Sequence, residues 1–426
     1  MIDIIQINIL KLLNIFLISK KISKKINHFY VNKAIKTVKK LKLAKKNNLS
    51  SKQIKDILYD SGIRLDIKNE KFYIKLLDLI TSQINLSENR DYIKNQLKIN
   101  KFDYVGLRTW LRLRDLFYIK LELVLGGICR KKAVDYALKS KTNYLLTRKD
   151  KFRAKLDFAT SAKEIGSYLK KNPIEHKFYH KDLNKFMSSL HNINFNIKNY
   201  EKSIEKNKFY EILDNKSVAI VGPAKTDQKN AQEIDAFDTV VRLNYTHVGK
   251  NLDELYKGFK TDISYLSGEQ TDYLIEKKNG QLPNDIKLAC IKDNNMNRKK
   301  ILEQFNPNKP IKRITNYNMF TFYSSLNILP LVLLDILEAN VKRIKIFHSD
   351  MFLTKIRSPG YYPKEFNLGQ KIDLKSFLDH DPMSQHEILK KLNSHKKITG
   401  DEKFDKVMKL DTYEYLKKLE ETYREY

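Results

Sequence analysis

The sequence predicts an α/β fold, a Rossmann-like domain with a mainly parallel sheet, preceded by a helical N-terminal region. Three observations predict it. From about residue 206, short apolar runs alternate with stretches of helical spacing, the mark of an α/β domain. The first run, Val218-Ala219-Ile220-Val221, is continuous and stops at Gly222, as in a strand buried on both faces of a parallel sheet. Residues 30–205 instead carry apolar residues three and four apart, the period of helices packed on a core. The chain therefore divides into residues 1–30, a helical region 31–205 and an α/β domain 206–426.

The 426 residues are enough for two or three domains and a real core. Lys and Arg number 81 against 50 Asp and Glu, a net charge of +31. Such a balance suits a polyanion, either nucleic acid or an anionic membrane surface. The chain is also rich in Ile and Asn, so a codon bias toward A and T accounts for part of the lysine. No RNP sequence, zinc-finger spacing or Gly-Arg tract accompanies the charge, so a nucleic-acid partner is not expected. Only two cysteines occur, Cys129 and Cys290, too few for a disulfide framework.

Residues 1–19, MIDIIQINILKLLNIFLIS, are apolar but interrupted by Asp3, Gln6, Asn8, Lys11 and Asn14. Most of these polar residues share one side of a helical wheel. Lys20, Lys21, Lys24 and Lys25 follow. A spanning helix needs about 20 mostly apolar residues, and a signal peptide would put its positive charge first and end in a small-residue cleavage site. Two readings remain: an amphipathic helix lying on anionic lipid, or a helix docked on the protein's own core. Further on, Ser51–Asp60, Phe72–Ile84, Leu107–Leu125 and Lys163–Leu169 read as helices, with Ser50 or Ser51 capping the first. Trp110 reads as core. His176 and His180 have the spacing of a metal pair but no third ligand nearby, and read as surface residues.

In the α/β domain, strands are expected at Val218–Val221, Thr239–Asn244, Thr261–Leu266, Asp285–Ile291 and Val341–Phe347. A helix is expected at Leu326–Leu337 and another running through Ile388–Leu392. Lys292–Lys300 reads as a polar loop on the ligand side. In open α/β sheets, ligands sit beyond the carboxyl ends of the strands, where Gly222 and Asn244 fall. Ser324 and Ser325 precede an apolar helix, as a cap with outward N–H groups. His348 and Asp350 follow the last strand, and His380 stands before Pro382, a first-turn position. Tyr413, Leu416, Leu419 and Tyr423 place a helix at the C-terminus.

Ser217–Asn244, SVAIVGPAKTDQKNAQEIDAFDTVVRLN, resembles the large sialylmotif of the eukaryotic-type sialyltransferases, glycosyltransferase family 29. Val221-Gly222, Ile234-Asp235, Phe237-Asp238, Val241 and Arg242-Leu243-Asn244 fall into its pattern, a strand followed by IDxFDxVxRLN. Gly258-Phe259-Lys260-Thr261 resembles the motif's closing G-x-[KR]-T. Pro223-Ala224 replaces its Asn-Ser. Ser324-Ser325 with the helix and strand after it resembles the small sialylmotif, with Leu326 in place of Gly. Gly360-Tyr361-Tyr362-Pro363 matches only the aromatic centre of the short third motif. His380, four residues and then Gln385 resemble the last motif, with Gln in place of Glu.

The resemblance implies a GT-A-variant glycosyltransferase domain and an inverting, metal-independent transfer of sialic acid or a related acidic sugar from a CMP donor to a glycan or glycolipid. It assigns donor binding to Gly222, Asn244, Ser324, Ser325, Tyr361 and Tyr362, and the base to His380; His348 and Asp350 are weaker acceptor candidates. No cofactor is expected. Animal members join two motifs by a disulfide in the secretory lumen. Because this chain has no Cys in its first motif, the expectation is a bacterial enzyme, cytoplasmic and peripheral on the inner membrane. Two other readings stay open: a transferase using a different nucleotide sugar, and a non-catalytic basic protein that binds polyanions.

Overall fold

The computed structural model describes residues 32–65, 69–82, 86–98, 105–139, 145–157, 185–187, 189–190, 204–245, 254–292, 301–304, 309–315, 317–358 and 375–424. The chain divides into two compact units. Residues 1–30, His176, His180, Tyr361 and Tyr362 lie outside the described residues.

The first unit comprises Met1–Lys141 together with Leu374–Asp379 and is helical throughout its described residues. Helix α1 spans residues 32–46 and α2 spans Ser51–Asp60. Ser50, not Ser51, caps α2: Gln53 N donates to its Oγ, and Gln53 Oε1 accepts from Ser50 N at 2.9 Å, a reciprocal capping box. Helix α3 (Glu70–Thr81) buries Phe72, Tyr73, Leu76, Leu77 and Ile80, and α4 (Ser87–Lys98) buries Ile93 and Leu97. The helix expected over Leu107–Leu125 is two helices, α5 (Leu107–Ile119) and α6 (Leu123–Lys139). The break is at Leu121, in the left-handed region with φ 56; no Gly or Pro announces it. Trp110 is buried, as expected.

The second unit comprises Thr142–Asp373 and His380–Tyr426. Its start precedes the expected boundary at residue 206, because the helical segments before the sheet are bonded to it. Tyr323 donates to Asp150 of α7 (Leu145–Asp157) at 3.1 Å. Lys185 pairs with Glu338 at 2.8 Å with both side chains buried. Thr239 Oγ1 donates to the carbonyl of Ile212 in α8 (Ile204–Leu213) at 2.6 Å.

Seven strands build one sheet: β1 (Ser217–Val221), β2 (Thr239–Leu243), β3 (Ile263–Leu266), β4 (Leu288–Ile291), β5 (Ile311–Arg313), β6 (Arg343–Phe347) and β7 (Ile398–Gly400). Their order is β5-β4-β3-β2-β1-β6-β7, and every pairing is parallel. Strands β1 to β4 are almost wholly buried, so they are apolar on both faces instead of alternating, apart from the buried polar residues Thr239, Arg242 and Ser264. The fold is α/β and Rossmann-like. Among the described residues, the remaining helices of eight or more residues are α9 (Gly268–Lys278), α10 (Ile328–Ile336), α11 (Pro382–Asn393), α12 (Glu402–Lys409) and α13 (Thr412–Arg424). No described helix is long and apolar enough to cross a membrane.

One polar row crosses this core. Tyr265, Cys290 and Lys312 are register partners on β3, β4 and β5. Asp335 of α10 accepts from Tyr265 Oη at 2.7 Å and pairs with Lys312 Nζ at 2.5 Å. Burial raises Asp335, while the carboxylate keeps Lys312 charged and raises it. The pair ties α10 to the sheet. Both cysteines are free and buried, and burial pushes both thiols up.

Candidate active site

Strand order reverses between β1 and β6, the switch point where an open α/β sheet offers a crevice. Here the chain continues to pair past the strand ends. Gly222 N donates to Phe347 O at 2.8 Å and Ala224 N to His348 O at 3.1 Å. A Cβ on Gly222 would stand 2.4 Å from the His348 carbonyl oxygen, so glycine is required by this close approach. The fully buried Lys257 donates from Nζ to the carbonyls of Gly222 and Ala224 at 2.7 and 3.0 Å. Ser358 N donates to Pro223 O at 2.9 Å. The loop after β1 is thus fixed by the chain's own groups.

The motif residues that follow hold one another. The Asp235 carboxylate accepts from Phe259 N and Lys260 N. Gly258 has φ 66, and a Cβ there would meet Asp235 Oδ1 at 2.4 Å. Arg242, fully buried, donates to the carbonyls of Lys257, Gly258 and Lys260 and to Thr261 Oγ1. Asp238 accepts from Ser217 N and Oγ, and Asp262 accepts from Val240 N at 2.8 Å. Asn244 stands at the carboxyl end of β2 with φ 58, and its Oδ1 accepts from Ser267 N at 2.7 Å.

A different cluster gathers ionisable and polar groups at the carboxyl side of β4 and around the starts of α10 and α11. Helix α10 begins at Ile328 with Asn327 as its N-cap, so Ser324 and Ser325 precede the cap. Asn327 makes no side-chain cap bond. Gln385 instead fixes the cap residue itself, its Oε1 taking the Asn327 N–H at 2.8 Å. Its Nε2 donates to Ser325 O at 3.0 Å and to Ser324 Oγ at 3.3 Å. Ser324 Oγ also accepts from Asp381 N at 3.1 Å. Asp381 in turn caps α11, accepting from Ser384 N, with Pro382 in the first turn.

His380 precedes that cap, half-buried. Its Nδ1 lies 2.8 Å from the Ser325 carbonyl oxygen. A carbonyl only accepts, so Nδ1 carries the proton and the neutral ring keeps its lone pair on Nε2. Burial, reinforced by nearby Lys292, pushes the imidazole down to about 3, against the pull of the Ser325 carbonyl. Lys292 follows the last residue of β4 and donates from Nζ to Leu326 O. The site therefore joins a neutral imidazole, a serine turn at a helix start and an ammonium group. Anions are favoured at such a helix start.

Of the residues expected from sequence, Ser324, Ser325 and His380 are brought together. Gly222 and Asn244 sit at the ends of β1 and β2. His348 and Asp350 are buried. His348 Nε2 donates to Tyr256 O at 3.1 Å and its backbone N–H donates to Asp401 Oδ2 at 2.6 Å. Burial, then Lys257, pushes this imidazole down to about 3. Burial pushes Asp350 up. The bridging role of Gln385 was not expected, and Lys292 was expected only as the start of a ligand-side loop, not as a site residue; its position directly after a strand's carboxyl end was the available signal. No family model matches the chain, and no curated protein matches it.

Proposed function

We propose that the protein is a glycosyltransferase that moves sialic acid, or a related acidic sugar, from a CMP donor to a cell-surface glycan or glycolipid. The observation that carries this reading is the 2.8 Å contact between His380 Nδ1 and Ser325 O. It leaves a lone pair on Nε2 beside a helix start suited to an anion. The four motif resemblances, in order over residues 217–392, support the choice of donor.

In this reading the acceptor hydroxyl oxygen bonds to the anomeric carbon while that carbon's bond to the phosphate oxygen breaks. His380 Nε2 takes the hydroxyl proton, and CMP leaves with the bonding electron pair. General-base assistance of this kind is worth about 10²–10⁴-fold. The Ile328 and Leu329 N–H groups in the first turn of α10 and the ammonium of Lys292 offset the charge that grows on the leaving phosphate. Ser324, Ser325, Gly222 and Asn244 are assigned to the donor, as are Tyr361 and Tyr362. The attack inverts the anomeric centre, and no metal is assigned a role. The enzyme would work in a bacterial cytoplasm, peripheral on the inner membrane, with residues 1–30 lying on anionic lipid.

Thermal stabilisation of the full chain by CMP, UMP, GDP and ADP, with and without EDTA, tests this. A ligand that binds only the folded state raises stability by mass action. A shift with CMP alone, unchanged by EDTA, is the expected result. A metal-dependent shift with UMP or GDP instead assigns another nucleotide sugar. No shift with any nucleotide, together with salt-sensitive polyanion binding that survives His380→Ala, assigns the non-catalytic reading.

A further inference from the structure

We propose that the solvent face of α1 is a docking surface for an anionic lipid bilayer. Helix α1 buries Ala34, Thr37, Val38, Leu41 and Ala44, spaced three and four apart. Its other face exposes Lys36, Lys39, Lys40, Lys42 and Lys46. Among the described residues, none of these five lysines forms an ion pair. Lys45, on the flank of the same helix, does pair, with Asp78 at 2.8 Å.

Lys36 with Lys39 and Lys40, and Lys42 with Lys39 and Lys46, stand at the three and four spacings where like charges repel. Burial and then Lys42 lower the pKa of Lys120, so the cationic cluster reaches beyond the helix. The helix dipole favours cations only in the last turn. It accounts for Lys46 but not for Lys36, Lys39 and Lys40. A face that works against its own helix is relieved when an external anionic surface covers it.

Leu43 identifies which surface. It lies among these lysines and is 59% exposed. An exposed leucine ringed by lysines fits the headgroup boundary of a bilayer, which takes apolar side chains while its anionic lipids meet the lysines. The face carries no aromatic residue for base stacking and no arginine for phosphate forks, the features of nucleic-acid surfaces. The proposal deepens the peripheral-membrane reading for residues 1–30 and rests on it, since both must meet the same bilayer. It does not depend on the transferase activity.

The test is co-sedimentation of the full chain with phosphatidylcholine vesicles, with or without about one-third phosphatidylglycerol. The chain is compared with Lys36→Gln/Lys39→Gln/Lys40→Gln and with Leu43→Ala. The expected result is binding only to the anionic vesicles, weakened at least about tenfold in the triple variant, with its melting temperature not lowered. Leu43→Ala weakens binding less, and added salt abolishes the difference between the triple variant and wild type. Wild-type affinity in the triple variant overturns the proposal while leaving the role of residues 1–30 standing. Absence of vesicle binding by the wild type overturns both. Loss of single-stranded DNA binding in the triple variant with unchanged vesicle binding assigns the face to nucleic acid.

Discussion

His380 Nδ1 stands 2.8 Å from the carbonyl oxygen of Ser325, so one backbone atom before α10 decides which ring nitrogen of His380 holds the proton. His380→Asn tests the consequence. A carboxamide N–H can replace Nδ1–H toward Ser325 O, but nothing replaces the Nε2 lone pair. Transfer should fall by about 10²–10⁴-fold, while stabilisation by CMP persists. Loss of both in equal measure would mean that His380 serves nucleotide binding and not proton transfer.

At about 3, the free imidazole is a weak base. An anion beside it favours the protonated form and raises its pKa. Binding of CMP should therefore take up protons, increasingly as pH falls below neutral. Calorimetry in buffers of different ionisation enthalpy reads this uptake directly, and His380→Asn should remove it.

Gln385 donates to Ser325 O and accepts from Asn327 N. An ionised Glu keeps the second bond and loses the first. Gln385→Glu should destabilise the fold by about 1–3 kcal/mol through the donor lost to buried groups. Its negative charge should also move the acid limb of the pH–rate profile upward. Gln385→Leu should cost similar stability without moving that limb. A Glu variant with an unmoved profile would place Gln385 outside the electrostatics of His380.

Besides His386 and His395, which burial also lowers, two histidines are held neutral, His348 and His380, each pushed down to about 3 from an ordinary value of 6.5. Unfolding frees both rings to take a proton. Their contribution to stability is therefore complete above pH 6.5 and is lost as pH falls from there toward 3. Each can contribute a slope approaching about 1.4 kcal/mol per pH unit. Asp350 and Asp401, raised by burial, act in the opposite sense as they protonate. Urea denaturation at pH 7 and pH 5 should show the fold weaker at pH 5, and His348→Gln should flatten part of that difference.

Lys312 and Asp335 form a buried pair at 2.5 Å. Asp335→Leu alone leaves the ammonium buried without its carboxylate and should cost about 3–5 kcal/mol. Adding Lys312→Met should recover most of that, because an apolar pair of similar volume can match a buried ion pair. Denaturant midpoints of the two single variants and the double variant measure the coupling.

The sheet was legible where strands are buried on both faces. Val218–Val221 is an unbroken apolar run, and in Thr239–Leu243 only Thr239 and Arg242 interrupt it. Strands β5 and β7 have only three residues each, too short to leave a pattern. The C-terminal helix divides after Lys409, with Asp411 accepting from Tyr413 N and Glu414 N to start α13. The site was legible as separate pieces: Ser324, Ser325 and His380 each stand beside a helix start. What joins them is not in any local pattern. Gln385 reaches Ser325 across 60 positions, and Lys292 reaches Leu326 across 34.

The lock between Asp235, Arg242 and the segment Lys257–Thr261 belongs to the architecture of the sheet and not to its chemistry. These residues spend their polar atoms on each other, so changing one strands the rest inside the protein. Whatever the chain binds, it needs the arginine, the aspartate and the glycine to keep the end of strand β2 in place. Such a signature records how the end of strand β2 is braced. Pro223, Ala224 and Gln385 are where this sequence differs from the motifs it resembles, and they too are held, through Ser358, Lys257 and Asn327.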